Sequence, residues 1–271
     1  MARQIMTRLA WLTDLHLDHV DDSAAEQFCQ TVVDQSPDAV LIGGDISDAA
    51  SLSRHLDMLE QCLERPIYFV LGNHDFYGGS IEGVRSLVRE LAEGSRWLHW
   101  LPASGVVALT ERTALIGHDG WADGRLGSSE RSYVLLNDYV RISDFIPLSH
   151  RDRFKKLNEL GDEAAEYFGD VLPAAAERFP DVLLLTHVPP FRESCWHEGG
   201  TSDDDYLPHF ACRAAGEVLA DTMRTHPDSR LTVLCGHAHG RGEVEIAPNL
   251  VVKTGGAEYG KPAVQELIAV L

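Results

Sequence analysis

Paired or clustered cysteines are missing from this chain. Its five, Cys29, Cys62, Cys195, Cys212 and Cys235, are odd in number and form no C-x-x-C spacing. That argues against a disulfide framework or a thiolate zinc site and predicts reduced packing residues. No uncharged run approaches the length of a membrane span, and residues 1–10 lack the apolar stretch and small-residue cleavage pattern of a secretory signal. A cytoplasmic location and no membrane partner are the expectations. Positive charge is scarce, with 23 Lys and Arg against 42 Asp and Glu, giving a formal net charge of −19. The average field therefore repels nucleic acid, and no extended nucleic-acid surface is expected. A small phosphate substrate survives this argument, because bound metal ions can reverse the field inside a cleft. Low-complexity tracts and fixed-period repeats are also lacking, which removes disordered and solenoid classes. With 44% hydrophobic residues, 271 residues can bury a substantial core as one domain.

Short apolar strands alternate with helical patterns in the first third. Asp22 and Ser23 are placed to cap a helix, Ser23 and Glu26 having capping-box spacing, with Phe28 and Val32 on its inner face. Leu52, Leu56, Leu59 and Leu63 mark a second helix, and Ile81, Val84, Val88 and Leu91 a third. Such alternation predicts a largely parallel first sheet. Short strands at 106–109 and 113–117, expected to be antiparallel, open a second sheet, which segments 243–247, 250–254 and 264–270 should complete. A further helix is expected over about 211–225. The stretch 121–180, with a long helix containing Phe154, Leu157, Leu160 and Ala164, reads as a cap or flanking insertion. Two sheets flanked by helices result.

Chemistry concentrates where five apolar runs stop. Residues 8–13 are followed by Asp14 and His16, 39–44 by Asp45, 67–72 by Asn73 and His74, 182–186 by His187, and 231–236 by His237 and His239. In open α/β sheets ligands gather at the carboxyl ends of strands. One Asp-x-His pair is weak, and His187 alone would read as a structural histidine, but five such endings in succession form a constellation. Two aspartates, an asparagine and four histidines make a mixed oxygen and nitrogen donor set without sulfur, suited to Mn, Fe or Zn. The donors outnumber what one tetrahedral ion needs, which favours two metal ions sharing a carboxylate, with Asp45 best placed to bridge.

The ordered motifs Asp14-x-His16, Gly44-Asp45, Gly72-Asn73-His74-Asp75, His187 and Gly236-His237-Ala238-His239 resemble those of the calcineurin-like metallophosphoesterase superfamily over residues 14–239. The resemblance implies a four-layer αββα sandwich of two mixed β-sheets. It also implies one metal held by Asp14, His16, Asp45 and His239, and a second by Asp45, Asn73, His187 and His237. It implies hydrolysis of a phosphate monoester or diester by in-line attack of a bridging water or hydroxide. His74 would then be a catalytic residue beside the substrate, protonating the leaving oxygen or stabilising transition-state charge. Asp75 either orients that imidazole or caps the following helix, and Asp48 fits an outer or capping role.

A non-catalytic metal-binding interaction scaffold of the same fold, or a nuclease, is the competing reading. The intact ligand set opposes the scaffold and the acidic charge opposes the nuclease. Weaker features are His118-Asp119-Gly120-Trp121, which suit a cleft rim or a structural loop, and Arg141, a possible substrate contact. Pro189-Pro190-Phe191, His197, His209 and the acidic run 203–205 read as structural or solvated.

Overall fold

The computed structural model describes residues 6–271; the part of the amino-terminal reading that falls on residues 1–5 lies outside them. Three βα units come first: β1 (Thr7–Leu12) and α1 (Asp22–Asp34), β2 (Ala39–Gly43) and α2 (Leu52–Leu63), β3 (Ile67–Val70) and α3 (Ile81–Gly94). Then come β4 (Leu98–Trp100), the short α4 (Leu101–Ser104), β5 (Val107–Ala108) and β6 (Thr113–His118). A loop with the single turn α5 (Asp138–Arg141) precedes the long α6 (His150–Arg178) and β7 (Asp181–Thr186). A two-stranded ribbon, β8 (Trp196–His197) and β9 (Gly200–Thr201), is followed by α7 (Leu207–Phe210) and α8 (Arg213–Thr225). The last strands are β10 (Arg230–Cys235), β11 (Gly242–Ala247), β12 (Leu250–Thr254) and β13 (Val264–Val270).

One sheet runs β13-β1-β2-β3-β4 and the other β11-β12-β10-β7-β6-β5. All pairs among β1 to β4 are parallel, as the alternating pattern requires. In the second sheet β5 and β11 are antiparallel edges on a parallel centre. The strand over 264–270 corrects the sequence reading: it joins the first sheet, pairing antiparallel with β1 from Thr7 opposite Val270 to Leu12 opposite Val264. After β12 the chain therefore crosses from one sheet to the other. Strand propensity identified the element but carries no information about which edge it covers.

Side-chain alternation builds four layers. On β1, Leu9 and Trp11 enter the apolar layer between the sheets, together with Leu41, Val70, Leu115, Leu183, Leu185 and Leu234. Ala10 and Leu12 face the other way, against α1, α2 and α3. Val182, Leu184, Val233 and Cys235 turn outward onto α6 and α8. The inner strands of both sheets are thus covered on both faces and read as continuous apolar runs, whereas the edge strands β11 and β13 carry polar residues and are less buried.

One local detail differs from the sequence reading. The cap of α1 is Asp21, whose Oδ1 accepts from Ala24 N at 2.8 Å, because Asp21 is the last extended residue and Asp22 is already helical. Within 121–180, α6 is the crossover between parallel β6 and β7 and packs on the second sheet, while the loop carrying α5 runs past the strand ends. No helix among the described residues is long and apolar enough to cross a membrane.

Candidate metal centre

The carboxyl ends of β1, β2, β3, β7 and β10 meet at one edge of the two sheets. Asp14, His16, Asp45, His237 and His239 all have left-handed backbone (φ 50°, 44°, 50°, 66° and 59°), making up five of the eight non-glycine residues with positive φ among those described. Such backbone costs about 1–3 kcal/mol per residue and persists where surroundings over-determine it. Here the surroundings are hydrogen bonds between strand ends: Asp14 N donates to Gly44 O (3.0 Å) and His16 N to Asp45 O (2.9 Å). His237 N donates to Asp14 Oδ1 (2.9 Å) and His74 N to Asp45 Oδ1 (2.8 Å). A Cβ on Gly72 would collide with the Asp45 carboxylate, and one on Gly236 with that of Asp14, which explains a glycine before each of these two ligand clusters.

The side chains form two groups sharing Asp45. In Asp14, His16, Asp45 and His239, one potential ligand atom from each lies within 4.8 Å of the others, and the same holds for Asp45, His187 and His237. His16 Nε2 stands 3.2 Å from His239 Nε2 and 3.8 Å from Asp45 Oδ2, and His239 Nε2 stands 3.5 Å from Asp14 Oδ1. His187 Nε2 lies 3.4 Å from Asp45 Oδ1 and 3.0 Å from Asn73 Oδ1, placing the asparagine in the second group. The charged partners of Asp14 and Asp45 among the described residues are histidines, with no Lys or Arg. The buried His16 Nδ1 has no hydrogen-bond partner among the described residues. Two acid groups and four imidazoles converging without a fixed cation are a donor set that two metal ions fit.

Tethers fix ring orientation. His187 Nδ1 donates to Gly43 O (2.8 Å) and His237 Nε2 to His209 O (3.1 Å), leaving His187 Nε2 and His237 Nδ1 free for an ion. In the metal-free chain protons occupy part of this role. Burial disfavours a charged His187, but the Asp45 carboxylate overrides it and holds the ring up at about 10. Burial likewise raises Asp45, and the opposing pull of His187 and His74 takes it well below the usual carboxylate range. His16 is pushed down to about 4 and His237 to about 3, both chiefly by burial.

His74 stays outside both groups, its ring 4.5 Å from that of His16, 4.3 Å from that of Tyr77, and its Nε2 3.4 Å from the Tyr259 hydroxyl. Asp75 does not orient that ring, a correction to one expectation. It is fully buried and accepts from Ile46 N and Ser47 N (2.9 Å each) and Gly72 N (2.8 Å), clamping the Asp45 loop to the Asn73 loop. Nor does it cap α3, where Ser80 accepts from Gly83 N. Asp48 caps the start of α2 through Ser51.

The other flagged residues are mostly structural. Asp119 is buried, accepting from Leu71 N, Trp100 Nε1 and Arg85, and Trp121 packs between Phe76 and Phe145. Arg141 lies over the Tyr77 ring at 4.6 Å. Sequence reasoning missed Tyr259, Tyr77 and Phe210, which with Leu136, Asn137 and His197 wall a pocket of about 210 Å³ over the ligand groups.

A model of the calcineurin-like phosphoesterases matches residues 7–241, from β1 through both ligand groups. The chain belongs to that family. That family is one of dinuclear, metal-dependent phosphoesterases, and the two ligand groups fit it. A probable cyclic nucleotide phosphodiesterase of Pseudoalteromonas sp. (strain SM9913) is 30% identical over 107 residues, 32% of this chain and 41% of that protein. The match thus spans less than half the length of that relative. Among solved structures, phosphopantetheinyl hydrolase from Mycobacterium tuberculosis superposes with a TM-score of 0.68 at 17% identity, covering 99% of this chain and 97% of that one. A dimetal phosphatase from Danio rerio gives 0.59 at 14% identity, with 94% and 89% covered. At these identities the structural likenesses establish the phosphoesterase's fold.

Proposed function

We propose that this phosphoesterase hydrolyses phosphate diesters carried by a small or exposed molecule. The observation that carries this reading is the pocket wall, which contains no Lys or Arg among the described residues and instead offers Tyr77, Phe210, Leu136 and Tyr259. A monoester brings close to two negative charges and three unesterified oxygens at neutral pH, for which a guanidinium fork is the apt partner. A diester brings one charge and a second organic substituent that an aromatic and aliphatic wall suits. At about 210 Å³ the space is smaller than the roughly 300–1,000 Å³ of drug-sized sites. It holds the phosphoryl group and the atoms next to it, with the rest outside. The similar Pseudoalteromonas protein is by name a probable phosphodiesterase, which agrees.

Asp14, His16, Asp45 and His239 would hold one ion, and Asp45, Asn73, His187 and His237 the other, with Mn, Fe or Zn matching the donors. Bound there, the ions would lower the pKa of water and offset charge on the phosphoryl oxygens. His74 stands at the pocket wall, where its ring can give a proton to the departing ester oxygen. Tyr77 and Tyr259 flank it on two sides.

The test is hydrolysis of bis-p-nitrophenyl phosphate and p-nitrophenyl phosphate, side by side, by manganese-loaded protein. Diester preference in kcat/KM is expected, and monoester preference overturns it. His74→Ala should keep its manganese while kcat falls about 10²–10⁴-fold on a diester with an alkyl leaving group, which needs a proton most. Two bound ions with no turnover of any phosphate ester would return the scaffold reading.

A further inference from the structure

The carboxylate of Asp138, on α5, is buried beside Asn73, and the residue lines the pocket over the ligand groups. Its Oδ1 accepts from Asn73 Nδ2 at 2.8 Å and from the Tyr77 hydroxyl at 2.6 Å. Only 3% of the residue is exposed, and no Lys or Arg pairs with it among the described residues. Asn73 Nδ2 also donates to the Tyr77 hydroxyl (3.2 Å), closing a three-membered ring of polar groups.

A side-chain amide has an oxygen on one side and a nitrogen on the other, and only the oxygen can serve a hard cation. Rotation by 180° would turn an NH₂ toward His187 and Asp45. The Asp138 oxygen that meets the amide already accepts from the Tyr77 hydroxyl and has no proton to give, so it suits one orientation: nitrogen toward Asp138, oxygen toward His187 Nε2. We infer that Asp138 is a positioning residue that selects the ion-facing orientation of the Asn73 amide. The segment between β6 and α6 thereby reaches into the centre without supplying a ligand. Arg141, on the same turn, covers the Tyr77 ring and holds the far corner of the triangle.

The inference rests on the two-ion reading of the site, and its test separates the two. Manganese binding is measured by calorimetry on metal-stripped protein and by metal analysis after loading, with melting temperature recorded for every variant. Wild type should bind two ions; fewer would overturn the reading on which the role of Asp138 depends. Asp138→Ala should weaken one ion about 10- to 100-fold, the range typical of groups that orient metal ligands, and leave the other unchanged. Asp138→Asn, which presents a donor as well as an acceptor and so admits both amide orientations, should recover only part of the loss. Tyr77→Phe, which removes the other donor but leaves the Asn73 bond, should bind both ions like wild type. Equal weakening of both ions in Asp138→Ala, or a Tyr77→Phe defect as large, would mean that Asp138 only supports α5, and the inference falls. If the alanine variant is not recovered folded, Asp138→Ser carries the same prediction, with a polar group retained in the space.

Discussion

Asp14, His16 and His239 all sit in left-handed backbone, while among the second group's own ligands only His237 does (φ 66°); Asn73 has an ordinary φ of −63° and His187 has no positive φ. The rings of the first group have few polar tethers among the described residues: His16 Nδ1 has none, and the polar partners of the His239 ring are His16 and Asp14. In the second group every ligand side chain is tied from behind, His187 by Gly43, His237 by His209 and Asn73 by Asp138. The first group is aimed chiefly by its main chain, whereas the second, where His237 is left-handed too, is aimed in addition by hydrogen bonds to side chains and carbonyls of distant elements. The first should therefore tolerate changes around it, and the second should answer to residues that never touch an ion.

The strongest way to erase the difference is Asp45→Asn, since Asp45 belongs to both groups. Metal content of both sites should fall, and turnover of a diester should drop by about 10³-fold or more, as expected when several kcal/mol of charge stabilisation is lost. Loss of a single ion would show that the halves are not joined at this carboxylate.

Next in size is Asp75→Ala. It strands three buried N–H groups at Ile46, Ser47 and Gly72, at about 1–3 kcal/mol each before relaxation or entry of water. Urea unfolding should show a loss of about 3 kcal/mol at unchanged m value. A loss below about 1 kcal/mol would mean that the two loops hold their shape without the clamp.

Proton linkage sharpens the comparison within the metal-free protein. His187 is held at about 10, above the ordinary 6.5, so its contribution is fully present below about 6.5 and is lost as pH rises toward 10. His16 and His237, held near 4 and 3, act in the opposite sense: the unfolded chain binds their protons first, and stability falls as pH drops from about 6.5 toward 4. Melting temperature from pH 4 to 10 should therefore peak near neutrality, and manganese loading should flatten the alkaline limb, because an ion replaces the proton of His187. An alkaline limb unchanged by manganese would contradict that exchange.

The smallest effect is expected from Tyr259→Phe. Removing the hydroxyl 3.4 Å from His74 Nε2 forfeits at most one ordinary hydrogen bond, worth about 0.5–1.5 kcal/mol, so kcat should fall about 2- to 12-fold with metal content unchanged. No change would mean that this contact is irrelevant to turnover.

Much of this was legible in the sequence because strand ends write themselves as apolar runs stopped by polar residues. Asp14, His16, Asp45, His187, His237 and His239 were visible in that way, and the structure brings them together. The parallel first sheet followed from alternation. What could not be read depends on contacts between remote segments. The placement of β13 is set by pairing with β1, some 250 residues away, and Asp75 finds its amides only after β2 and β3 lie side by side. Tyr259 gives no signal, lying in an irregular glycine-containing loop whose meaning comes from the crossing between sheets. Asp138 sits in a stretch whose periodicity supports helix packing equally well.

The crossing after β12 makes the mouth of the pocket part of the sheet scaffold. Residues 255–263 carry the chain from the second sheet to the first and hang Tyr259 over the opening on the way. The loop is thus anchored at both ends in different sheets, so any sliding of one sheet against the other becomes a displacement of the gatepost. Width at the entrance is therefore tied to the registry between the two sheets.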